Sequence, residues 1–214
     1  MKPIAIYGAG GLGREVLMLI RQINEYDEIW KPIGFFDDGV PEGKMIDGMP
    51  VLGNIDRLNE VREELNIIIA LGDPGIKKRV FQKITNPLII FATLIHPSVL
   101  IRPYQDIKIG KGSIIGSGNI LTVGISIGDN VLLNLNNTIG HDVVIRDFAS
   151  VMPGCNISGE VLIEEGVYVG TGAAIINRVT IGSYSKIGAG AVVLSDIAEN
   201  ITAVGVPAKA VITQ

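Results

Sequence analysis

The chain has 214 residues, with 18 lysines and arginines against 22 aspartates and glutamates, a formal charge of −4. That length allows one or two domains with a sizeable core. The charges form no basic run or stripe, which argues against a nucleic-acid partner, and the lone cysteine, Cys155, excludes a disulfide framework and fits a reducing cytosol.

No window approaches the ~18 uninterrupted apolar residues of a membrane span. The apolar stretch ahead of the first glycines is too short for a secretion signal. A cytoplasmic protein with no membrane partner is expected. Glycine is abundant at 27 and aromatic residues are scarce at 5%, which suits tight turns and small inward-facing side chains.

Strand and helix signals alternate through the first part of the chain. "IAIYGAGGLG" reads as a strand entering a glycine turn, and "REVLMLIRQI" as an amphipathic helix. "KPIGFFDDG" predicts a second strand ending in acids, "IDRLNEVREEL" a helix and "NIIIALGD" a third strand. "GIKKRVFQKI" predicts a helix, and "LIIFATLI" a fourth strand that leads into a different pattern. This alternation implies an α/β, Rossmann-like parallel-sheet domain over residues 1–92.

Gly8 to Gly13, "GAGGLG", match G-x-G-x-x-G between strand and helix, with Asp37 and Asp38 at the end of the next strand. Alone, that is the dinucleotide fingerprint. A full dinucleotide fold needs two βαβαβ halves, and residues 1–92 supply little more than one. The physical argument survives in reduced form. Backbone N–H groups at a helix N-terminus favour an anion, Asp37 and Asp38 can take hydroxyls or a base edge, and Gly72 falls on the same rim. Half a dinucleotide site suits a nucleotide-sugar better than NAD. The plainer alternative is a turn whose glycines only let helix pack on strand. Arg14 reads as a helix-surface residue.

The second part, residues 93–214, has a period of six. Ile109, Ile115, Leu121, Ile127, Leu133, Ile139, Ile145, Val151, Ile157, Ile163, Val169, Ile175, Ile181, Ile187 and Val193 are all Ile, Leu or Val. Glycine often follows, and four residues on stands a small or β-branched residue such as Val131, Cys155 or Ala173. That pattern predicts a three-faced parallel β-helix of short strands, with the aliphatic knobs stacked inward and glycine at turns needing positive φ. Cys155 falls in the inward phase. Ile95, Ile101 and Ile107 are offset by two, and "RPYQD" reads as a slip in register. "DIAENITAVGVPAKAVITQ" predicts a cap over the open end of the helix.

"GAGGLGRE", "GFFDD", "LIHPSV", "NNTIGHD" and "GVPAK" occur in this order. With them essentially the whole chain resembles bacterial hexapeptide-repeat acyltransferases, left-handed β-helix enzymes with an N-terminal nucleotide-sugar-binding domain. That superfamily includes UDP-4-amino-sugar N-acetyltransferases of the bacillosamine type, perosamine N-acetyltransferases and sialic acid O-acetyltransferases. The resemblance implies a homotrimer, acetyl-CoA as co-substrate between neighbouring β-helices, no metal, and a histidine base oriented by the next acid.

Carried over by position, the resemblance implies His141 as the base and Asp142 as its partner, where many relatives have glutamate. It places Asn134 near the substrate amine, beside His141, and the backbone N–H of Gly159 near the thioester. Thr171 and Ala189 match positions lining acetyl-CoA, and Ser150 stands where some relatives have a histidine that contacts this co-substrate. Gly10, Gly11, Leu12, Asp37, Asp38 and Gly72 match the nucleotide-sugar site, Leu12 replacing a frequent histidine.

The chemistry asks for little more. An amine or hydroxyl attacks the thioester carbonyl while a near-neutral base takes its proton, so no covalent intermediate and no nucleophilic Ser or Cys is needed. N-acetylation of a nucleotide-linked amino sugar is the leading expectation, and O-acetylation of a sugar or sialic acid the alternative. A zinc enzyme of the carbonic anhydrase kind needs about three histidines around the metal, and this chain has only His96 and His141. A non-catalytic trimeric nucleotide-binding scaffold is the remaining class. His96 reads first as a turn-tying residue at the entry to the repeat, and Lys209 as either a CoA-phosphate contact or a solvated lysine.

Overall fold

β1 (Lys2–Tyr7) runs into a glycine turn and then α1 (Gly11–Tyr26). The helix buries Gly13, Val16, Leu17, Leu19, Ile20 and Ile23, one face at helical spacing, against the sheet. This is a computed structural model, and it describes residues 1–211. β2 (Trp30–Phe36), β3 (Met45–Ile46), β4 (Met49–Gly53), α2 (Ile55–Asn59), β5 (Leu65–Ile69), α3 (Pro74–Lys83) and β6 (Ile89–Phe91) follow in chain order.

The strands lie in the order β3-β4-β2-β1-β5-β6, and every pair except the β3–β4 hairpin is parallel. From β1 the chain winds first toward β2 and β4, then crosses to β5 on the other side. The strand order therefore reverses between β1 and β5, where open α/β sheets hold their ligands. Ile4, Ile6 and Ile68 pack on the α1 side, while Ala5, Tyr7, Ile67 and Ile69 pack on the other.

Two features differ from the sequence expectation. The hairpin from Met45 to Gly53 adds two strands. Its turn places Asp47 at φ +47° and Gly48 at φ +82°, the Asp-Gly geometry of a two-residue hairpin loop. The helix expected over "IDRLNEVREEL" stops at Asn59. The Asn59 side chain turns away to hold the loop after α3, giving a hydrogen bond to the Lys83 carbonyl and accepting one from Thr85 N.

The remainder coils into the three-faced parallel β-helix. The first face stacks Lys108–Ile109, Ser126–Ile127, Val144–Ile145, Leu162–Ile163 and Thr180–Ile181. The second stacks Leu94–Ile95, Ile114–Ile115, Leu132–Leu133, Ser150–Val151, Tyr168–Val169 and Lys186–Ile187. The third stacks Ile120–Leu121, Thr138–Ile139, Asn156–Ile157, Ala174–Ile175 and Val192–Val193. From Ile115 to Val193 every knob of the six-residue run is at most 4% exposed.

The offset in the first coil has a structural cause. Ile95 stacks on Ile115, twenty residues on, where later coils repeat every eighteen, and the short 3-10 turn Pro103–Gln105 takes up the extra length. Thr202–Val204 pairs with Lys186–Ile187 and with Lys209–Ala210, covering the far end. The last part of the expected cap, residues 212–214, lies outside the described residues. Leu94, Ile114 and Leu132 point out of the second face into the same core as α1 and β1, so the α/β sheet is seated on that face.

Candidate functional site

The β-helix turns its three corners with residues in the left-handed region. At the corner between the third and first faces, Gly124, Asp142, Glu160 and Arg178 stack coil on coil at φ +69°, +58°, +59° and +63°. The backbone is tied vertically, Asp142 N to Val123 O at 2.9 Å and Glu160 N to His141 O at 2.8 Å. His141 stands on this corner with its side chain 56% exposed. As expected from its place after Gly140, it lies outside the apolar bore.

His141 Nδ1 lies 2.9 Å from Asp142 Oδ2. A carboxylate can only accept, so the proton sits on Nδ1 and the Nε2 lone pair is free. The ring rests against Gly159 of the next coil. A Cβ there would overlap Nε2, Cε1 and Cδ2 of His141, so only glycine leaves room for the ring. Among the described residues the Gly159 N–H has no hydrogen-bond partner. The structure thus brings His141, Asp142 and Gly159 together: an imidazole with a free Nε2, a carboxylate on its Nδ1 and a spare backbone N–H. Gly124, beneath the Asp142 carboxylate, was not anticipated, although the eighteen-residue coil points to it.

Asn134, Thr171 and Ala189 fall on a different corner, between the second and third faces. The expectation that Asn134 lies beside His141 is corrected for the single chain. One hexapeptide advances the chain by a face, and only three return it to the same corner. Ser150 is fully buried, and its hydroxyl accepts a hydrogen bond from Lys77 Nζ at 3.0 Å. It is covered by α3 and is not free to meet a co-substrate. Burial pushes the Lys77 ammonium down to about 7, against a smaller upward pull from Asp73.

At the sheet's carboxyl rim, α1 begins with no side-chain cap and no acid in its first turn. A Cβ at Gly10 or Gly11 would meet nothing within 4 Å, so the helix mouth is open to an anion. Gly8 and Gly13 are structural. Gly8 has φ +107°, and a Cβ on Gly13 would overlap the Gly8 carbonyl. Asp37 accepts from Ala9 N at 2.8 Å and Asp38 from Ile55 N at 2.9 Å. Asp37 also accepts from Gly39 N at 2.8 Å through its other oxygen, so it spends both oxygens on the backbone and Asp38 one, and the two acids line an open bowl of about 570 Å³. Gly72 opens onto a second cleft of about 360 Å³ with Met152, Tyr168 and Lys186.

Leu12 lines a third cavity, of about 310 Å³, between α1 and the β-helix, and Asn134 and His96 line it too. The sequence reading put the turn-tying role of His96 ahead of a direct functional one. No helix among the described residues is long and apolar enough to cross a membrane. Nor do they contain a group of three or more His, Cys, Asp or Glu able to hold a metal ion. Cys155 is fully buried, as its inward phase predicts.

A parallel-sheet domain on a hexapeptide β-helix, with a histidine–acid pair on an exposed corner, defines a class: hexapeptide-repeat acyltransferases. Residues 3–84 match the family model described as the PglD N-terminal domain, and residues 160–195 match the bacterial transferase hexapeptide (six repeats). The chain is 31% identical over 160 residues to GDP-perosamine N-acetyltransferase of Escherichia coli O157:H7, covering 74% of this chain and 71% of that one. A histidine-to-asparagine variant of perosamine N-acetyltransferase from Caulobacter crescentus, solved with CoA and GDP-perosamine, matches 99% of this chain and 97% of its own at TM-score 0.89 and 27% identity. The acetyltransferase domain of PglB from Neisseria gonorrhoeae, solved with acetyl coenzyme A, matches 98% of this chain and 99% of its own at TM-score 0.86 and 31% identity. The chain belongs to this family of left-handed β-helix acetyltransferases with a PglD-type N-terminal domain.

Proposed function

We propose that the chain transfers the acetyl group of acetyl-CoA to the amino group of a nucleotide-linked amino sugar. Residues 1–92 hold the nucleotide-sugar and residues 93–214 carry the transfer. The observation that carries this reading is the His141–Asp142 pair, set on an exposed corner against Gly159 with Nε2 free. The relatives solved or named as N-acetyltransferases of a nucleotide-linked amino sugar support it.

The substrate diphosphate sits at the open mouth of α1 over Gly10 and Gly11. The nucleoside runs along the rim by Asp37, Asp38 and Gly72, and the sugar enters the cavity of Leu12 and Asn134. The amine attacks the thioester carbonyl carbon. His141 Nε2 takes the proton from the attacking nitrogen, and Asp142 stabilises the imidazolium through Nδ1. The Gly159 N–H faces the charge that gathers on the carbonyl oxygen. The C–S bond then breaks, and the imidazolium returns the proton to the thiolate, giving the amide and CoA. Thr171 and Ala189 line acetyl-CoA. Ser150 has no part in this, being held by Lys77.

In one chain the base and the sugar cavity lie on different corners. A homotrimer resolves this if the base corner of one copy meets the cavity corner of the next. Ile120, Val123, Ile176 and Leu194 are exposed along the third face and the base corner, apolar surface that such a contact would cover. A cytoplasmic location belongs to the same reading.

The test is thiol release from acetyl-CoA against UDP- and GDP-linked 4-amino sugars, free amino sugars and sialic acids, with His141→Ala as control. Turnover of a nucleotide-linked amino sugar to a hydroxylamine-stable amide, reduced ~10²–10⁴-fold in the variant, is the expected result. An ester product, or turnover that His141→Ala leaves intact, would overturn the assignment.

A further inference from the structure

The cavity between α1 and the β-helix has an apolar lining interrupted by few polar groups, among them Glu15, Gln22, His96, Ser117 and Asn134. A sugar is told from other sugars by hydrogen bonds to its hydroxyls and ring oxygen, so these few groups carry the discrimination.

His96 is held with unusual definition for a half-buried ring. Ser98 N donates to its Nδ1 at 3.0 Å, and Ser98 Oγ lies 2.8 Å from the same nitrogen. Ser98 Oγ in turn accepts from Gly118 N at 3.2 Å, and His96 N donates to Ile115 O at 2.9 Å. An Nδ1 that accepts from a backbone N–H carries no proton, so the neutral ring carries it on Nε2. Among the described residues Nε2 has no partner. Burial lowers the imidazole pKa from its ordinary value, which favours this neutral, donating form. Asn134 is fixed in the same sense. Its Oδ1 accepts from Leu135 N at 2.8 Å, and among the described residues its NH₂ has no partner.

We infer that His96 is a substrate-binding residue whose Nε2–H donates to an oxygen of the nucleotide-linked sugar and so selects which sugar is acetylated. This rests on the reading that the sugar lies between Leu12 and Asn134. His96 is not the base. Its tautomer is opposite to that of His141, and it has no lone pair on the cavity side.

Two substitutions separate this role from turn-tying. His96→Asn keeps an oxygen where Nδ1 caps Ser98 N and removes the cavity donor. His96→Gln carries an amide N–H out to the place of Nε2. Binding of the nucleotide-linked 4-amino sugars and of bare UDP and GDP is measured by calorimetry, alongside steady-state kinetics and melting. His96→Asn should weaken sugar-nucleotide binding and raise its KM about tenfold. Bare nucleoside diphosphate binding, the KM for acetyl-CoA and the melting temperature should stay unchanged, and His96→Gln should recover most of the loss. An equal loss for the bare nucleoside diphosphate, a melting drop that accounts for every change, or no change at all would overturn the inference. Sugar-nucleotide binding without wild-type turnover would sink the acetyl-transfer reading instead, and the selective loss in His96→Asn would still decide the role of His96.

Discussion

His141 and His96 each make their defining hydrogen bond through Nδ1, with opposite results. A carboxylate opposite Nδ1 frees the lone pair of Nε2 in His141, while a backbone N–H opposite Nδ1 puts the proton on Nε2 in His96. The His141 pair is solvent-exposed and contributes little to stability; its value lies in orientation. The same logic gives a prediction at Gly159. Its φ is not in the left-handed region, so the backbone tolerates alanine, but the new methyl would displace the His141 ring. Gly159→Ala should melt like the wild type and lose at least about tenfold in kcat, and unchanged kcat would contradict the packing of ring on glycine. Much of this site was legible in sequence, because a histidine and an acid after a turn glycine must lie outside an apolar bore. Ser150 was not, because what removes it from the surface is Lys77, 73 residues away. Contacts of that range leave no local trace.

The repeat could be read at the level of the element because each knob has one environment, the bore, and a period of six has one explanation. The hairpin at Met45–Gly53 was missed although Asp47-Gly48 is a recognised turn signal, because its strands are short and lack a clean alternation. The end of α2 was missed because tertiary bonds from Asn59 set it. α3 carries the element-level prediction. Lys77 lies buried under it, with a folded-state pKa of about 7 against an ordinary 10.5. Below the folded value both states are protonated, and the cost of burying charge is fully present. Between the two values the unfolded chain holds the extra proton, so stability rises with pH across that window. Lys77→Met should therefore melt higher than wild type near pH 6–7, by about 1–4 kcal/mol in stability, and the gap should narrow toward pH 9–10. A gap that does not change with pH would show that Lys77 does not discharge on folding.

At the scale of the whole molecule, the feature that organises function is the separation of corners. His141, Asp142 and Gly159 share one corner, Asn134, Thr171 and Ala189 another, and the Leu12 cavity opens onto the second. The six-residue phase contains this separation, since a step of one hexapeptide moves the chain one face, yet it does not say which corner of a second copy comes near. If one copy's base serves its neighbour's cavity, two defects on different chains can complement each other. The measurement is turnover of the nucleotide-linked amino sugar by oligomers co-expressed from equal amounts of His141→Ala and Leu12→Trp chains, the second with its cavity filled. Each variant alone should be folded and inactive. In randomly mixed cyclic trimers, about one site in four combines an intact cavity with an intact neighbouring His141, so the mixture should recover about a quarter of wild-type turnover. A mixture as inactive as its components, with mixed trimers shown to be present, would contradict the shared site and place acetyl transfer within a single chain.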